Sequence, residues 1–526
     1  MRKIHLYRLI VLCFFCLSAK AQRPGAVIDV RHYGFNIKLS DESDTIKGKA
    51  DVSVLFLQNT PSFQLNLVKR NDSGRGMLVS AVLENGKPVG FKQDGDDVTI
   101  FTHASKNQQR TFSVIYQGIP ADGLIISTNK FGHRTFFGDN WPNRAHNWLP
   151  CVDDPADKAP VDFTVTAPDH YQVIANGLKL NETELPGKMK QTRWAETARL
   201  PTKVMVIGVA DFAIDHPADV NGVPVYTYVF PENSATGFKS YAVATEILPF
   251  YSSRIGPYAY KKLANVQSKT IFGGMENASA IFYYENSVSD RGIEALMAHE
   301  IAHQWFGDAV SEKNFHHLWL SEGFATYLTN YYLENKYGVD TLKKRLAADR
   351  VKIFRLERTH SRPVVDTAET DYMKLLNANS YEKGNWVLHM LRRQLGDDVF
   401  WKGIRTYFAK YNGGNANTAD FRQVMEQVNG KNLEVFFKEW LNTAGHPDLA
   451  VSWKYNAANH TVNIQVDQKQ SNLYVFPLEV SVDGQLHTIN MADRTAIVNI
   501  SAGPNPPVIK VDPDVNLLAS FIVTGN

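Results

Sequence analysis

A helical pattern near the middle of the chain carries two histidines four residues apart with a glutamate between them: His299, Glu300 and His303, in the sequence HEIAH. At 3.6 residues per turn the two imidazoles lie about 400° apart around a helix, so both leave from nearly the same face. Two nitrogens placed in this way can bind one zinc ion at about 2.0–2.1 Å. Glu300 is turned by about 100° from His299, where it can reach a water molecule beside the metal.

A catalytic zinc ion needs a third protein ligand and a position for water. Glu322, in the segment WLSEG at the start of the next helical pattern, is the candidate, because a second helix packed on the first could bring it to the metal. A simpler interpretation is also open. Ser321 could cap that helix, and Glu322 could merely favour the positive end of the helix dipole.

Three further motifs accompany the histidines. GGMEN occupies 273–277, YEKG occupies 381–384, and NWLPCVDDP occupies 147–155. Together with HEIAH and its distal glutamate, they resemble, in the same order, the motifs of the gluzincin zinc aminopeptidases of the aminopeptidase N and leukotriene hydrolase family. The resemblance covers nearly all of the chain after residue 21.

The resemblance implies a role for each chemical group. His299, His303 and Glu322 would bind one Zn²⁺ ion per chain, which lowers the pKa of water towards about 7 and polarises the scissile carbonyl. Glu300 would take the proton of the attacking water as a general base. Tyr381 would donate a hydrogen bond to the tetrahedral oxyanion.

The resemblance also assigns the GGMEN segment to substrate binding. Glu276 would pair with the free α-amine of a peptide and reject chains that continue upstream. The glycines suit a close backbone approach, as to a substrate strand added edge-on. The residues assigned to this role are Gly273, Gly274, Met275, Glu276 and Asn277.

One position departs from the family's pattern. Nine residues before the proline of Pro150-Cys151 the family places Glu or Gln as a second contact to the amine, whereas this chain has Trp141. The face of an indole can attract a cation, but the ring is not a conventional hydrogen-bond acceptor. Asp139 is therefore the alternative candidate for that second contact.

Three other reactive side chains are expected to be structural. His316 and His317 lie between His303 and Glu322 in the sequence, but the metal already has its ligands without them. Cys151 has no Cys–His arrangement around it, so a buried thiol is expected there rather than a nucleophile.

The first 21 residues have the pattern of a cleaved secretory signal peptide. Arg2, Lys3 and Arg8 precede the apolar run at 9–17, and 19–21 fits a small-x-small cleavage site. An uncleaved anchor is the alternative, but the run is about half of the roughly 20 residues that span a bilayer. We therefore expect a secreted or periplasmic protein without stable membrane insertion.

Hydrophobic patterning predicts a multidomain α+β fold after residue 21. Alternating apolar residues predict an N-terminal antiparallel β domain over 22–215. A helical period predicts a mainly helical zinc domain over 216–447, thermolysin-like by resemblance, and renewed alternation predicts a small C-terminal β-sandwich over 448–526. Within the zinc domain, helices are predicted at 293–305 and near 322–336, 341–349, 381–394 and 433–444.

The composition excludes several classes of protein. With 56 basic and 54 acidic residues the net charge is +2, which gives no reason to expect a nucleic acid or an anionic membrane surface as partner. The chain is 44% hydrophobic and 21% charged, which excludes collagen, coiled-coil rods and disordered chains.

The sequence thus predicts a secreted zinc aminopeptidase that acts on peptides with free N-termini. A zinc endopeptidase with the same ligands is an alternative, and Glu276 argues against it. A non-catalytic scaffold would be expected to lack a ligand, Glu300 or Tyr381, and all of them are present. Lipid epoxide hydrolysis is a further alternative on family analogy alone.

Overall fold

The computed structural model describes residues 26–525. The predicted signal peptide at 1–21 lies outside the described residues. Within 26–525, no helix combines the length and the apolar character needed to cross a bilayer. The predicted order of a β-rich region, a mainly helical region and a second β region is confirmed.

The N-terminal region is built from fifteen strands, and in most of the longer ones buried residues alternate with more exposed ones. They are β1 Ile28–Lys38, β2 Ile46–Phe56, β3 Thr60–Asn66, β4 Gly76–Glu84, β5 Lys87–Pro88, β6 Phe91–Asp94, β7 Asp97–Ala104, β8 Gln109–Ile119, β9 Leu124–Thr128, β10 Arg134–Gly138, β11 Lys158–Pro168, β12 Gln172–Ala175, β13 Leu178–Leu185, β14 Met189–Pro201 and β15 Ile207–Ala210.

These strands form three sheets. Their orders are β13-β14-β11-β1-β2-β8-β4-β5, β12-β15-β10-β9 and β3-β7-β6. Among the strand pairs of these sheets, β1 and β11 run parallel and the others run antiparallel. The region is therefore antiparallel in the main, as its alternating pattern indicates.

The helical region opens on a mixed five-stranded sheet of order β16-β17-β18-β20-β19. Its strands are β16 Ala213–Val220, β17 Val223–Val229, β18 Leu263–Ser268, β19 Gly274–Met275 and β20 Ala280–Tyr284. The predicted domain boundary between 215 and 216 falls inside β16. Two short strands, β21 Val310–Glu312 and β22 Gly414–Ala416, pair in parallel farther along the chain.

Nine α-helices are described in the same region. They are α1 Ser234–Tyr241, α2 Ala244–Arg254, α3 Ile293–His303, α4 Trp319–Tyr337, α5 Val339–Thr359, α6 Gly384–Leu395, α7 Asp397–Tyr411, α8 Thr418–Asn429 and α9 Glu434–Leu441. A single π-helical turn, Asn379–Lys383, precedes α6 directly.

The C-terminal region contains two sheets whose apolar faces belong to one core. The strands are β23 Asp448–Asn456, β24 Thr461–Gln468, β25 Phe476–Val482, β26 Gln485–Met491, β27 Thr495–Ser501, β28 Ile509–Val511 and β29 Ser520–Gly525. The sheets have the orders β27-β24-β23-β29 and β26-β25-β28. Their core is continuous with that of the helices, so this region is packed onto the helical one.

Strand β20 joins the two main cores of the molecule. Ile281 and Tyr283 pack with the helices, whereas Ala280 and Phe282 pack with the N-terminal β region. Because successive side chains of a strand point to opposite faces, the mixed sheet lies between these two bodies. Its edge strand β19, which carries part of the GGMEN motif, thereby faces α3 where N-terminal and helical regions meet.

Candidate active site

Helix α3 supplies two imidazoles and α4 one carboxylate to a single cluster. His299 Nε2 lies 3.1 Å from His303 Nε2, and Glu322 Oε2 lies 3.3 Å from the first nitrogen and 3.2 Å from the second. Donor atoms bound tetrahedrally to zinc at about 2.0–2.1 Å stand about 3.3–3.4 Å apart. The spacing of these three atoms therefore fits a three-ligand zinc site.

The orientation of His303 is fixed from behind. Its Nδ1 lies 3.1 Å from the carbonyl oxygen of Phe306 and 3.1 Å from Ser321 Oγ. A carbonyl only accepts, so Nδ1 is the donor in this contact, which leaves Nε2 as the nitrogen that a metal could bind in place of a proton. Ser321 does not cap α4, which begins at Trp319. Its contact with the imidazole is a feature that sequence reasoning missed.

The charges around the cluster favour a cation. Burial alone would lower the pKa of His303, but the carboxylates of Glu322, Glu276 and Glu300 raise it to about 10. Burial would raise the pKa of Glu322, yet the two imidazoles lower it below its ordinary value. Three carboxyl groups thus lie around two imidazoles, and a divalent ion at this place would favour the ionised form of the carboxyls.

The carboxylate of Glu300 lies against the backbone of β19. A Cβ atom added to Gly274 would stand 2.2 Å from Glu300 Oε1, whereas one added to Gly273 would meet nothing within 4 Å. Burial raises the pKa of Glu300 well above its ordinary value, and the nearby Glu276 and Glu322 raise it further. Because Gly274 has no side chain, the carboxylate of Glu300 can occupy this position.

Glu300 also belongs to a second group of possible donors. Carboxylate oxygens of Glu276 and Glu300 and a nitrogen of His303 lie within 4.8 Å of one another. This group shares His303 with the first cluster, so the two share one ligand position. The donor atoms of His299, His303 and Glu322 lie closer together, at 3.1 to 3.3 Å from one another.

Glu276 presents an unpaired oxygen near the metal cluster. Its Oε1 is buried and has no hydrogen-bond partner among residues 26–525. The backbone of this segment is held by Gln304, which follows the second histidine of α3. Gln304 Nε2 donates to the carbonyl oxygen of Glu276 at 2.7 Å and to Asp308 Oδ2 at 2.8 Å, and its Oε1 accepts from Ser279 N at 2.8 Å.

These groups open into one cavity of about 240 Å³. Tyr381 lies on its wall, with its ring parallel to that of His299 at a centroid distance of 6.0 Å. Burial and Glu322 raise the pKa of Tyr381 well above its ordinary value, so the phenol keeps its proton at neutral pH. Apolar side chains complete the lining: Trp141, Phe272, Met275, Leu296 and Leu376.

The structure does not bring Asp139 to this cavity. Its carboxylate is buried and accepts hydrogen bonds from Arg144 Nη2 at 2.7 Å, from Thr270 Oγ1 at 3.0 Å and from Ile271 N at 3.0 Å. Two of these three bonds hold the segment at 270–271, and the third pairs the carboxylate with Arg144. Trp141 does line the cavity, and its buried Nε1 has no hydrogen-bond partner among residues 26–525.

The other sequence-predicted residues are placed as follows. Asn277 is fully buried beside Glu276, and neither polar atom of its side chain is paired with another described residue. His316 Nε2 contacts the carbonyl oxygen of Glu369 at 3.1 Å, and His317 Nδ1 contacts a threonine hydroxyl at 2.9 Å. Cys151 is a free, buried thiol.

Comparison with known proteins gives matches to two parts of the chain. Residues 240–440 match the peptidase family M1 domain, and residues 30–204 match the peptidase M1 N-terminal domain. The chain is 30% identical to tricorn protease-interacting factor F2 of Thermoplasma acidophilum, over 71% of this chain and 49% of that protein. It is 27% identical to probable aminopeptidase 2 of Sulfurisphaera tokodaii, over 84% and 58% respectively.

A third relative is leucyl aminopeptidase of Saccharolobus solfataricus. It is 25% identical over 78% of this chain and 54% of its own length. The chain therefore spans about half the length of these three curated relatives.

Proposed function

Because this chain belongs to peptidase family M1, we propose that it is a zinc-dependent aminopeptidase that releases the first residue of peptides with a free N-terminus. The observation that carries the proposal is the position of Glu276. A buried, unpaired carboxylate oxygen shares a cavity with three donor atoms spaced for zinc. A cationic α-amine is a chemical partner that such an oxygen can accept from.

Glu300 acts on the proton of the attacking water. When bound, zinc supplies a Lewis acid that lowers the pKa of water and polarises a carbonyl oxygen. Glu300 accepts the proton as the water oxygen attacks the carbonyl carbon. It then delivers that proton to the departing amine nitrogen as the C–N bond breaks.

Tyr381 stabilises the charge that develops on the carbonyl oxygen. Its phenol is protonated at neutral pH and lies on the cavity wall beside His299. A hydrogen bond that is formed only to the oxyanion accelerates the reaction, because it strengthens in the transition state.

Glu276 selects for the chain terminus. Its Oε1 would accept a hydrogen bond from the α-ammonium, which holds the first peptide bond near the zinc ligands. A substrate that continued upstream would leave this carboxylate buried without its cation, which disfavours the endopeptidase alternative. Gly273, Gly274, Met275 and Asn277 belong to the same substrate-binding segment in this proposal.

The test compares substrates with free and acetylated N-termini. A panel of fluorogenic aminoacyl amides, each in both forms, is expected to be cleaved only when the amine is free. Glu276→Gln keeps the size of the side chain but removes its charge, so KM for free-amine substrates should rise while zinc content is unchanged. Equal turnover of the acetylated panel would remove the exopeptidase assignment.

Export is proposed from the residue pattern at 1–21 alone. The positive start, the apolar run and the small-x-small site predict cleavage after Ala21. Amino-terminal sequencing of protein from the native cell would test this, with Gln22 expected as the first residue. An intact Met1 would contradict cleavage.

A further inference from the structure

A lysine ammonium is buried two residues after Tyr381. The side chain of Lys383 is 0% exposed, and its Nζ donates to Glu357 Oε1 at 2.8 Å and to the carbonyl oxygen of Gly445 at 2.6 Å. Lys383 does not line the cavity, and no step of the proposed reaction uses it. Burying an ammonium costs several kcal/mol unless it is paired, so its partners are held closely to it.

The partners of Lys383 come from two other parts of the fold. Glu357 lies on α5, and its second oxygen is hydrogen-bonded to His446 Nδ1. The ring of His446 stacks on Phe354 of the same helix at a centroid distance of 3.9 Å. Gly445 and His446 belong to the linker at 442–447, which joins α9 to the C-terminal sheets. We call this group, Lys383, Glu357, Gly445 and His446, the linker clamp.

The opposite side of the tyrosine segment is held by a contact between two glycines. A Cβ atom added to Gly323 would stand 2.8 Å from the Cα atom of Gly384. Gly323 follows the metal ligand Glu322 on α4, and Gly384 begins α6. The segment therefore lies between α4 on one side and the linker clamp on the other.

Tyr381 itself lies in the π-helical turn Asn379–Lys383. An isolated π turn within a helix is uncommon and depends on its surroundings to persist. The last residue of this turn is the buried lysine, so the clamp fixes the turn at the point where it passes into α6. The position of the phenol relative to Glu322 follows from both contacts.

We propose that Lys383 is a positioning residue for Tyr381, and that the linker to the C-terminal sheets takes part in catalysis through it. This inference rests on the oxyanion role proposed for Tyr381. The ammonium acts at a distance: it sets where the phenol lies and does not touch the substrate. A displacement of about 1 Å in such a group can lower a rate by about 100-fold.

Lys383→Met is the direct test, since methionine keeps much of the volume and removes the charge. We expect kcat to fall by about 10-fold to 100-fold, with KM and zinc content unchanged. Lys352→Met is the matched control. Lys352 pairs with Glu382 on the same turn at 2.7 Å, but its side chain is 59% exposed, so its removal should leave kcat unchanged.

A double variant separates positioning from general destabilisation. In a Tyr381→Phe background the oxyanion donor is already absent, so Lys383→Met should lower kcat no further. If the two losses multiply, Lys383 does not act through Tyr381 and the inference is overturned. If Tyr381→Phe alone keeps full activity, the proposed function of Tyr381 fails instead.

A second clamp variant covers the case in which Lys383→Met does not fold. Glu357→Gln keeps the shape of the side chain and an oxygen that accepts from the ammonium, and it weakens the pair without emptying the space. We expect a smaller fall in kcat, again absent in the Tyr381→Phe background. A folded Glu357→Gln protein with unchanged melting temperature, zinc content and kcat would overturn the inference.

Discussion

The two walls of the cavity are built in different ways. The metal wall consists of side chains on α3 and α4, and its key distances, 3.1 to 3.3 Å, follow from a helical spacing and one helix contact. The wall that faces it, which we call the recognition wall after its proposed role, consists of residues 272–276, which include β19, and Trp141. Its residues are placed by strand pairing and by contacts with other elements: β19 pairs with β20, and Gln304 Nε2 donates to the carbonyl oxygen of Glu276. In the proposed mechanism, local geometry therefore positions the groups that carry out the chemistry, and packing between elements positions those that bind the substrate.

Substitutions in the metal wall are expected to have the largest effect on activity. Glu322→Ala removes one of three ligands and leaves two imidazoles, so zinc content and peptidase activity should both be lost. His316→Ala is the matched control, because the His316 ring contacts the carbonyl oxygen of Glu369 and the ring of Tyr372 and lies outside the cluster. Metal analysis of both proteins checks this, and full zinc content in the Glu322→Ala protein would contradict the ligand assignment.

A change that keeps the metal but removes the base should have the next largest effect. Glu300→Gln should lower kcat by about 10²–10⁴ while zinc content stays at one ion per chain. The same variant also decides between the two groups of donors around His303. Loss of zinc on this substitution would show that Glu300 is a ligand and would move the metal towards Glu276.

Alanine substitutions at the two glycines of the GGMEN segment test the recognition wall. Gly274→Ala would place a methyl group 2.2 Å from Glu300 Oε1, so either the base or the β19 backbone must move. We expect kcat to fall by about 10-fold to 100-fold. Gly273→Ala is the control on the same segment, since its methyl group would meet nothing within 4 Å, and it should leave kcat nearly unchanged. Equal kcat in both variants would show that Gly274 does not set the place of the base.

The sequence predicts the metal wall far better than the recognition wall. The HEIAH motif predicts that both imidazoles lie on one face of a helix, because four residues make about one helical turn. The family resemblance supported Glu322 as the third ligand. The buried strand β18 gives no alternating signal, because both of its faces are covered, so the mixed sheet was missed. Helices α7 and α8 were also missed, although Gly396 before Asp397 and the capping box at Asn417 were available as signals.

Two smaller errors of the sequence predictions, the start of α6 and the place of Asp139, also arise because contacts between distant residues set these positions. The helix predicted near 381–394 is observed as α6 from Gly384, with Tyr381 in the π turn before it. That turn is held by Lys383 and the linker, which are contacts over 26 and 62 residues of sequence. The place of Asp139 beneath the cavity wall likewise depends on Thr270, 131 residues away. No local pattern encodes distances of this kind.

The smallest effect on activity is expected for Asp139, which anchors the segment beside the recognition wall without lining the cavity. Asp139→Asn keeps the shape of the side chain but weakens the bonds from Arg144, Thr270 and Ile271, so the segment at 270–271 loses part of its anchor. The loss of one hydrogen bond worth about 0.5–1.5 kcal/mol corresponds to a rise in KM of about twofold to tenfold. We expect kcat to change little and the preference for free over acetylated N-termini to persist. If Asp139 instead contacts the amine, Asp139→Asn should erase that preference as Glu276→Gln does. The two variants measured side by side therefore decide whether this carboxylate recognises the substrate or holds the wall that does.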